Sequence, residues 1–272
     1  MCSSDLPGVE FRAVNSAYSE STGTVAQATE TLVILGGDAD VDKYIQQVRS
    51  NINDQRALQT QMKVRALAFK FQDTFINGDT GVDANSFDGL KKRLTGANVI
   101  AGGTNGIPIV GNGGTDAQTF LDTLDAAIAQ IELMGQGPPD AIYMNASQRS
   151  KFRAALRRLY IYTESQETAG KRFDAYNGIP ILNIGTKADG TPILPFTETQ
   201  GTSNVASSIY VVKWSPGLGQ PGVVGLTNGG VQAYDIGELE TKPAYRTRVE
   251  FYCGIAAMGN SPAVRITGIL NS

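Results

Sequence analysis

Histidine is missing from all 272 residues. That absence removes Ser-His-Asp and Cys-His catalysis, His-bearing zinc sites and imidazole proton shuttles. Cysteine is nearly missing too. Only Cys2 and Cys253 are present, too few for a Cys-only zinc site or a disulfide framework. Long apolar runs are also lacking: none approaches the roughly 18–20 residues of a transmembrane helix, so no membrane partner is expected. Positive charge is not in excess. A net charge of −3 and a pI near 5.1 argue against a bulk basic nucleic-acid binder, so any such contact must be local. The first residues carry neither the charged nor the apolar region of a signal peptide.

What remains is a globular composition, 41% apolar and 18% charged, with 31 glycines that imply many turns. Residues 11–35 read as two extended strands joined by a polar turn at 19–23, a long hairpin. Gly36-Gly37 is expected to stop the second strand, leaving Asp38 or Asp40 to cap a helix beyond it. Val41, Tyr44, Ile45, Val48 and Ile52 keep helical spacing, and Leu58, Met62, Ala66 and Phe69 resume it. The spacing predicts a helix over 41–77, with a break near 50–54 and a glycine stop in "NGD". "AGGTNGIPIVGNGGTD" reads as a Gly-rich linker.

A second unit comes after the linker. A helix starts at Thr115 or Asp116 with Phe120, Leu121, Leu124, Ile128 and Ile131 inward, and "PPDAIYMN" is a strand. Next comes a helix capped by Asn145 or Ser147, with Phe152, Ala155, Leu156 and Leu159 inward. Strands close the chain. In one of them Val249, Phe251, Cys253 and Ile255 alternate with charged residues, which makes Cys253 a small buried apolar side chain. Hairpin, helix, mixed unit and strands make an α+β protein.

Candidate chemistry is sparse. Gly217, Gly219 and Gly222 in "GLGQPG" match a dinucleotide fingerprint, which would make the chain a nucleotide-binding enzyme. The required helix is not there: two prolines flank the glycines and a strand-like run comes next, so a connecting loop is the better reading. Asp79, Asp83 and Asn85 faintly echo a calcium loop but lack its full spacing, and read as a capped turn. Glu238 and Glu240 form a carboxylate pair with nothing to split their pKa values, and read as a solvated or intersubunit charge cluster. No enzyme, metal or cofactor is expected. One pattern stands apart. Arg49, Arg56, Lys63 and Lys70 recur every seven residues, a step that drifts only about 20° per repeat on a helix. Such a stripe is either a solvent-facing side or a surface for a polyanion.

Three stretches, "GVQAYDIGELETKPAYRTRVEFYCGIAAMGNSPAVRITGI", "DTFINGD...SFDGL" and "PDAIYMNASQRSKFRAALRR", resemble major capsid proteins of tailed bacteriophages with the Hong Kong 97-like fold. The resemblance runs from Val9 onward. It implies an N-terminal arm remnant and E-loop hairpin over 7–40, a peripheral domain with a spine helix over 41–103, a mixed α/β axial domain over 104–237, and return strands to the peripheral domain over 238–272. It also implies a homo-oligomer of pentamers and hexamers in an icosahedral virion shell, assembled in the bacterial host cytoplasm. Packaged double-stranded DNA would be bound non-specifically, with Arg49, Arg56, Lys63 and Lys70 as candidate DNA-facing residues. Scaffolding protein, portal and maturation protease are the further partners implied. An encapsulin-type nanocompartment shell is the alternative within the same fold.

The resemblance also isolates residues 1–6, because "CSSDL" is what TGC TCT TCC GAT CT, the 3′ end of a common sequencing adapter, encodes. These residues read as translated adapter joined to an incomplete gene, and Cys2 carries no functional argument. Some relatives of this fold cross-link a lysine on the E-loop to an asparagine of another subunit, whereas this chain has no lysine before Lys43. Purified particles are therefore expected to run as a single monomer band on denaturing gels. A ladder resistant to detergent would contradict this.

Overall fold

A computed structural model describes residues 2–5, 8–22, 24–27, 29–49, 54–111, 114–133, 137–161, 164–168, 171–217 and 220–272. The chain opens with β1 (Cys2–Asp5), which pairs antiparallel with β2 (Thr24–Gln27), so residues set apart as foreign form the first rung of a hairpin. Its turn lies at 14–15 and not at 19–23. There Asn15 takes the left-handed conformation (φ 67°), Ser16 N–H donates to Ala13 O at 3.1 Å, and the Arg12 guanidinium sits 5.2 Å from the Tyr18 ring centroid.

Next comes β3 (Val33–Asp42), which runs straight through Gly36-Gly37. The glycines do not stop it because its ladder with β13 (Ala244–Met258) continues across both, Glu250 opposite Gly36 and Val249 opposite Gly37. Asp38 and Asp40 are cross-strand partners of Arg248 and Arg246, and cap nothing. Asp42 is the residue whose carboxylate accepts from Tyr44 N–H at 2.8 Å, at the start of α1 (Lys43–Arg49). The expected break is real. Residues 50–53, with Ile52, lie outside the described residues, and Asp54, in extended conformation, caps α2 (Gln55–Asn77) by accepting from Arg56 and Ala57 N–H.

The "NGD" and "FDGL" glycines close the loop after α2. Gly89 N–H donates to Gly78 O at 2.9 Å. A Cβ on Gly78 would lie 2.3 Å from Phe87 O, and one on Gly89 would lie 2.5 Å from Thr74 O. Only hydrogen fits at either position. This seats α3 (Leu90–Arg93) with Leu90 fully buried, before β4 (Val99–Ala101) and β5 (Ile107–Pro108). The Gly-rich stretch is therefore not a linker: β4 and β5 pair parallel with β14 (Ala263–Leu270), and Ile109 and Val110 are buried in the core beside them.

The second unit forms as its patterns require. In α4 (Gly114–Glu132) Phe120, Leu121, Leu124, Ile128 and Ile131 are all buried, each contributing about 1.5–3 kcal/mol. After β6 (Ala141–Met144), Asn145 and Gln148 form a reciprocal capping box on α5 (Ala146–Arg158), with Phe152, Ala155 and Leu156 inward. Then come β7 (Glu164–Thr168), β8 (Lys171–Tyr176), β9 (Ile179–Asn183), β10 (Glu198–Gln200), β11 (Ser203–Val212) and β12 (Gly222–Glu238). Among the described residues a nine-stranded sheet runs β4-β14-β11-β6-β9-β8-β7, with β10 on β11 and β5 on β14, and a three-stranded sheet runs β12-β13-β3.

Sheet membership departs from the expected spans at three strands, the first being β4, which lies within 41–103 but pairs in the nine-stranded sheet. β12, expected in the axial unit of 104–237, belongs to the three-stranded sheet, where it pairs with β13 along nearly its whole length. β14, expected among the peripheral return strands of 238–272, lies inside the nine-stranded sheet between β4 and β11. The chain crosses between the two sheets once more than its linear pattern indicates. Replacing Gly89 by Ala forces backbone apart at this closure and is expected to cost about 2 kcal/mol, measured by urea unfolding of the subunit.

Candidate functional site

Four places carry unusual chemistry: the hairpin loop, the basic side of α2, the ion pairs on the three-stranded sheet, and the carboxylate of Glu198. The loop over 8–22 is organised by its own polar groups. Gly8 N–H donates to Ser21 Oγ at 2.9 Å, and Ser19 N–H donates to the Glu10 carboxylate, which that bond holds below its usual range. Its apolar side chains are bare, with Val9, Phe11 and Val14 above 90% exposure. Where β3 begins, Glu30 accepts a bidentate pair of hydrogen bonds from Arg93 of α3. The hairpin thus leaves a fixed base and projects apolar residues that its own chain leaves uncovered.

The basic stripe is divided. Arg49 ends α1, while Arg56, Lys63 and Lys70 lie on α2, and the break before Asp54 separates them. Leu67, Phe71, Thr74 and Phe75 mark the side of α2 that packs inward, and at 100° per residue Arg56 and Lys63 fall beside it and not opposite. Arg56 is drawn inward, donating to Asp235 of β12 at 2.5 Å with its guanidinium 5.0 Å from the Tyr245 ring centroid. Lys63 reaches over Gly37, where a Cβ would lie 3.5 Å from its Cδ. Only Lys70 and Arg49 are exposed. The expected single row of four is corrected: its first member lies on a different helix from the other three, and an ion pair occupies its second.

On the three-stranded sheet Arg248 reaches Asp38 at 2.8 and 3.0 Å, Arg246 reaches Asp40 at 2.7 and 2.8 Å, and Lys242 joins Asp40 at 2.6 Å. Hydrogen bonds from these cations hold both carboxylates well below the ordinary range. Glu238 pairs with Lys43, so the expected charge cluster at 238 and 240 has a partner within the chain. Asp79 accepts from Gly81 N–H and Lys92 Nζ, and Asp83 from Asn85 N–H: the turn is capped, and among the described residues no group of carboxylates could hold a metal ion. Around "GLGQPG", residues 218 and 219 lie outside the described residues, Gly217 sits in the preceding turn, and Gly222 opens strand β12, so among the described residues no helix follows the glycines. Cys253 is fully buried, which pushes its thiol up to about 11.

Glu198 was not singled out by its sequence context. It lies on β10 and gathers Ser208 Oγ, Arg265 at 2.9 Å and Lys91 of α3 at 3.1 Å. Burial alone would raise its pKa, but the Ser208 hydrogen bond and the charges of Arg265 and Lys91 outweigh burial and hold it below the usual range. No local pattern marks it because its partners lie 10, 67 and 107 residues away. A depressed carboxylate contributes stability above its unfolded pKa of about 4.3 that is lost as the pH falls through the folded value. Glu198→Gln is therefore expected to cost about 3 kcal/mol at pH 7 by leaving Arg265 unpaired. The gap to the parent chain should narrow below about pH 4, as read from urea unfolding across pH.

Comparison with known proteins bears on both halves of the chain. Residues 2–119, from β1 into the first turns of α4, match the family model of major capsid protein GP7. No curated protein matches the sequence. Solved structures match nearly the whole chain at low identity. The holo-SrpI encapsulin complex of Synechococcus elongatus PCC 7942 has a TM-score of 0.65 at 15% identity, covering 94% of this chain and 78% of its own. The capsid of the native GTA particle has a TM-score of 0.62 at 14% identity, covering 97% and 82%. Gordonia phage Cozz has a TM-score of 0.61 at 11% identity, covering 99% and 79%. The fold is therefore the Hong Kong 97-like capsid fold, and residues 2–119 carry the sequence pattern of major capsid protein GP7.

Proposed function

We propose that many copies of this chain build an icosahedral phage shell around double-stranded DNA. The observation that carries the reading is the coincidence of two signals, the GP7 match over residues 2–119 and the capsid fold over the whole chain. The physics is that of assembly. A projecting loop with bare Val9, Phe11 and Val14 gains stability by burying them on a neighbour, and many symmetry-related contacts sum to a stable shell. Scaffolding protein, portal and maturation protease are proposed as further partners.

An encapsulin shell is the second reading, supported by the TM-score of 0.65 with an encapsulin. The GP7 match favours the phage shell. Electron microscopy of purified particles, with assay of nuclease-protected nucleic acid, separates the two: the phage reading predicts protected DNA in particles from infected cells, the encapsulin reading an enclosed protein.

The DNA-facing role is proposed for Arg49, Lys63 and Lys70, with Arg56 reduced to a lesser part by its ion pair with Asp235. Each cation that neutralises a phosphate adds salt-dependent, sequence-blind affinity. Replacing Arg49, Lys63 and Lys70 by Gln is expected to leave shells intact and to lower the salt concentration at which DNA is released. Unchanged DNA retention across a salt series would refute the role.

A further inference from the structure

The two helices of the nine-stranded unit carry opposite charge. α4 holds Asp116, Asp122, Asp125 and Glu132 and no basic residue, while α5 holds Arg149, Lys151, Arg153, Arg157 and Arg158 and no acidic one. Helix dipoles explain part of this: Asp116 in the first turn of α4 and Arg157 and Arg158 in the last turn of α5 are where a dipole favours them. They do not explain the rest. Glu132 sits at the C-terminal end of α4, where a negative charge is disfavoured, and Asp122 and Asp125 are like charges one turn apart. All three are exposed, and among the described residues none forms an ion pair; Asp125 accepts one long hydrogen bond, 3.4 Å, from Asn177.

On α5 the cations differ in how far they are satisfied. Arg149 and Arg153 share Asp174, and Arg158 donates to Gly111 O at 2.8 Å and Val110 O at 3.3 Å. Lys151 and Arg157 have no ion-pair partner among the described residues. Each charged helix also ends in a bare apolar group. Leu133 comes after Glu132 at 78% exposure. Tyr160 lies just past Arg158 at 94% exposure and Ile161 at 46%. Tyr160 is held in the left-handed conformation (φ 56°) by a helix-ending motif in which Ile161 N–H donates to Leu156 O at 3.0 Å. Glycine normally fills that position, so an exposed aromatic there carries backbone strain that no contact among the described residues repays.

An apolar spot beside uncompensated charge is the composition of an interface centre and its rim. Resting on the shell reading, we propose that the acidic face of α4, with Asp122, Asp125, Glu132 and Leu133, docks on the basic end of α5 of a second copy, with Lys151, Arg157 and Tyr160. Because the two faces differ, each contact leaves one of each kind open. That is the head-to-tail arrangement that closes into rings. The charges select the correct neighbour and oppose α4-to-α4 or α5-to-α5 pairing.

The test is charge exchange in the full chain. Asp122→Lys, Asp125→Lys and Glu132→Lys together are expected to lower the yield of closed particles by on the order of tenfold. Adding Lys151→Glu and Arg157→Glu to that variant is expected to restore particles, which a merely structural role for α4 would not allow. Circular dichroism and urea unfolding of unassembled subunits confirm that each variant folds. The proposal is overturned if the reversed α4 assembles as well as the parent, or if the doubly exchanged chain folds but does not assemble. Failure of the parent chain itself to form closed particles overturns the shell reading instead, and this inference with it.

Discussion

The C-terminal half of α2 is the joint on which both sheets depend. Phe75 stacks on Trp214 at 5.8 Å between centroids and meets Tyr143 edge-on at 6.2 Å, while Phe71 packs against Phe251 at 5.7 Å. Tyr143 belongs to the nine-stranded sheet, Phe251 to the three-stranded one, and Trp214 to the segment between β11 and β12. One helix turn thus holds three parts of the chain by aromatic burial, the largest single gain available to a side chain. Ile76, fully buried, and Asn77, whose amide donates to Ile193 O at 2.9 Å, complete the clamp. The N-terminal half of the same helix leaves Leu58 and Met62 exposed and meets the three-stranded sheet through charged side chains instead, Arg56 on Asp235 and Tyr245 and Lys63 over Gly37. The aromatic burial of α2 is therefore concentrated at its C-terminal end.

Charge is handled in two ways. Inside the fold it is paired across large sequence distances: Glu198 with Arg265 and Lys91, and Asp38 and Asp40 with Arg248 and Arg246. These pairs specify strand order, since a displaced β13 or β10 would leave partly buried charge without a partner. At the surface of α4 and α5 charge of one sign is segregated by helix. Within one chain the helix dipoles and Asp174 account for only part of that separation, and the proposed head-to-tail contact would turn the remainder into attraction.

Much of the secondary structure was legible because local chemistry dictates it. Asn145 and Gln148 form their capping box, the apolar positions of α4 are all inward, and Cys253 is buried in an alternating strand. The glycines were the least legible. Gly36-Gly37 continues a strand because a neighbouring strand bonds through it, and the stretch after Ala101 is core because β14 lies beside it. A glycine that ends an element and one that admits another backbone look alike in sequence. The basic stripe failed for a related reason: a regular seven-residue spacing says nothing about the break before Asp54 or about Asp235, 179 residues away.

The sequence by itself determined which histidine- and cysteine-dependent chemistries are excluded, and where most helices and strands form. Periodicity and capping act over a few residues, so they survive without a partner in view. Only the tertiary structure decided which sheet each strand joins, that Glu198 is the ionic centre joining β10 to α3 and β14, and which side of α2 is buried. Those outcomes depend on burial and pairing between residues far apart in the chain, where the energy of a contact exists only once both partners have been brought together.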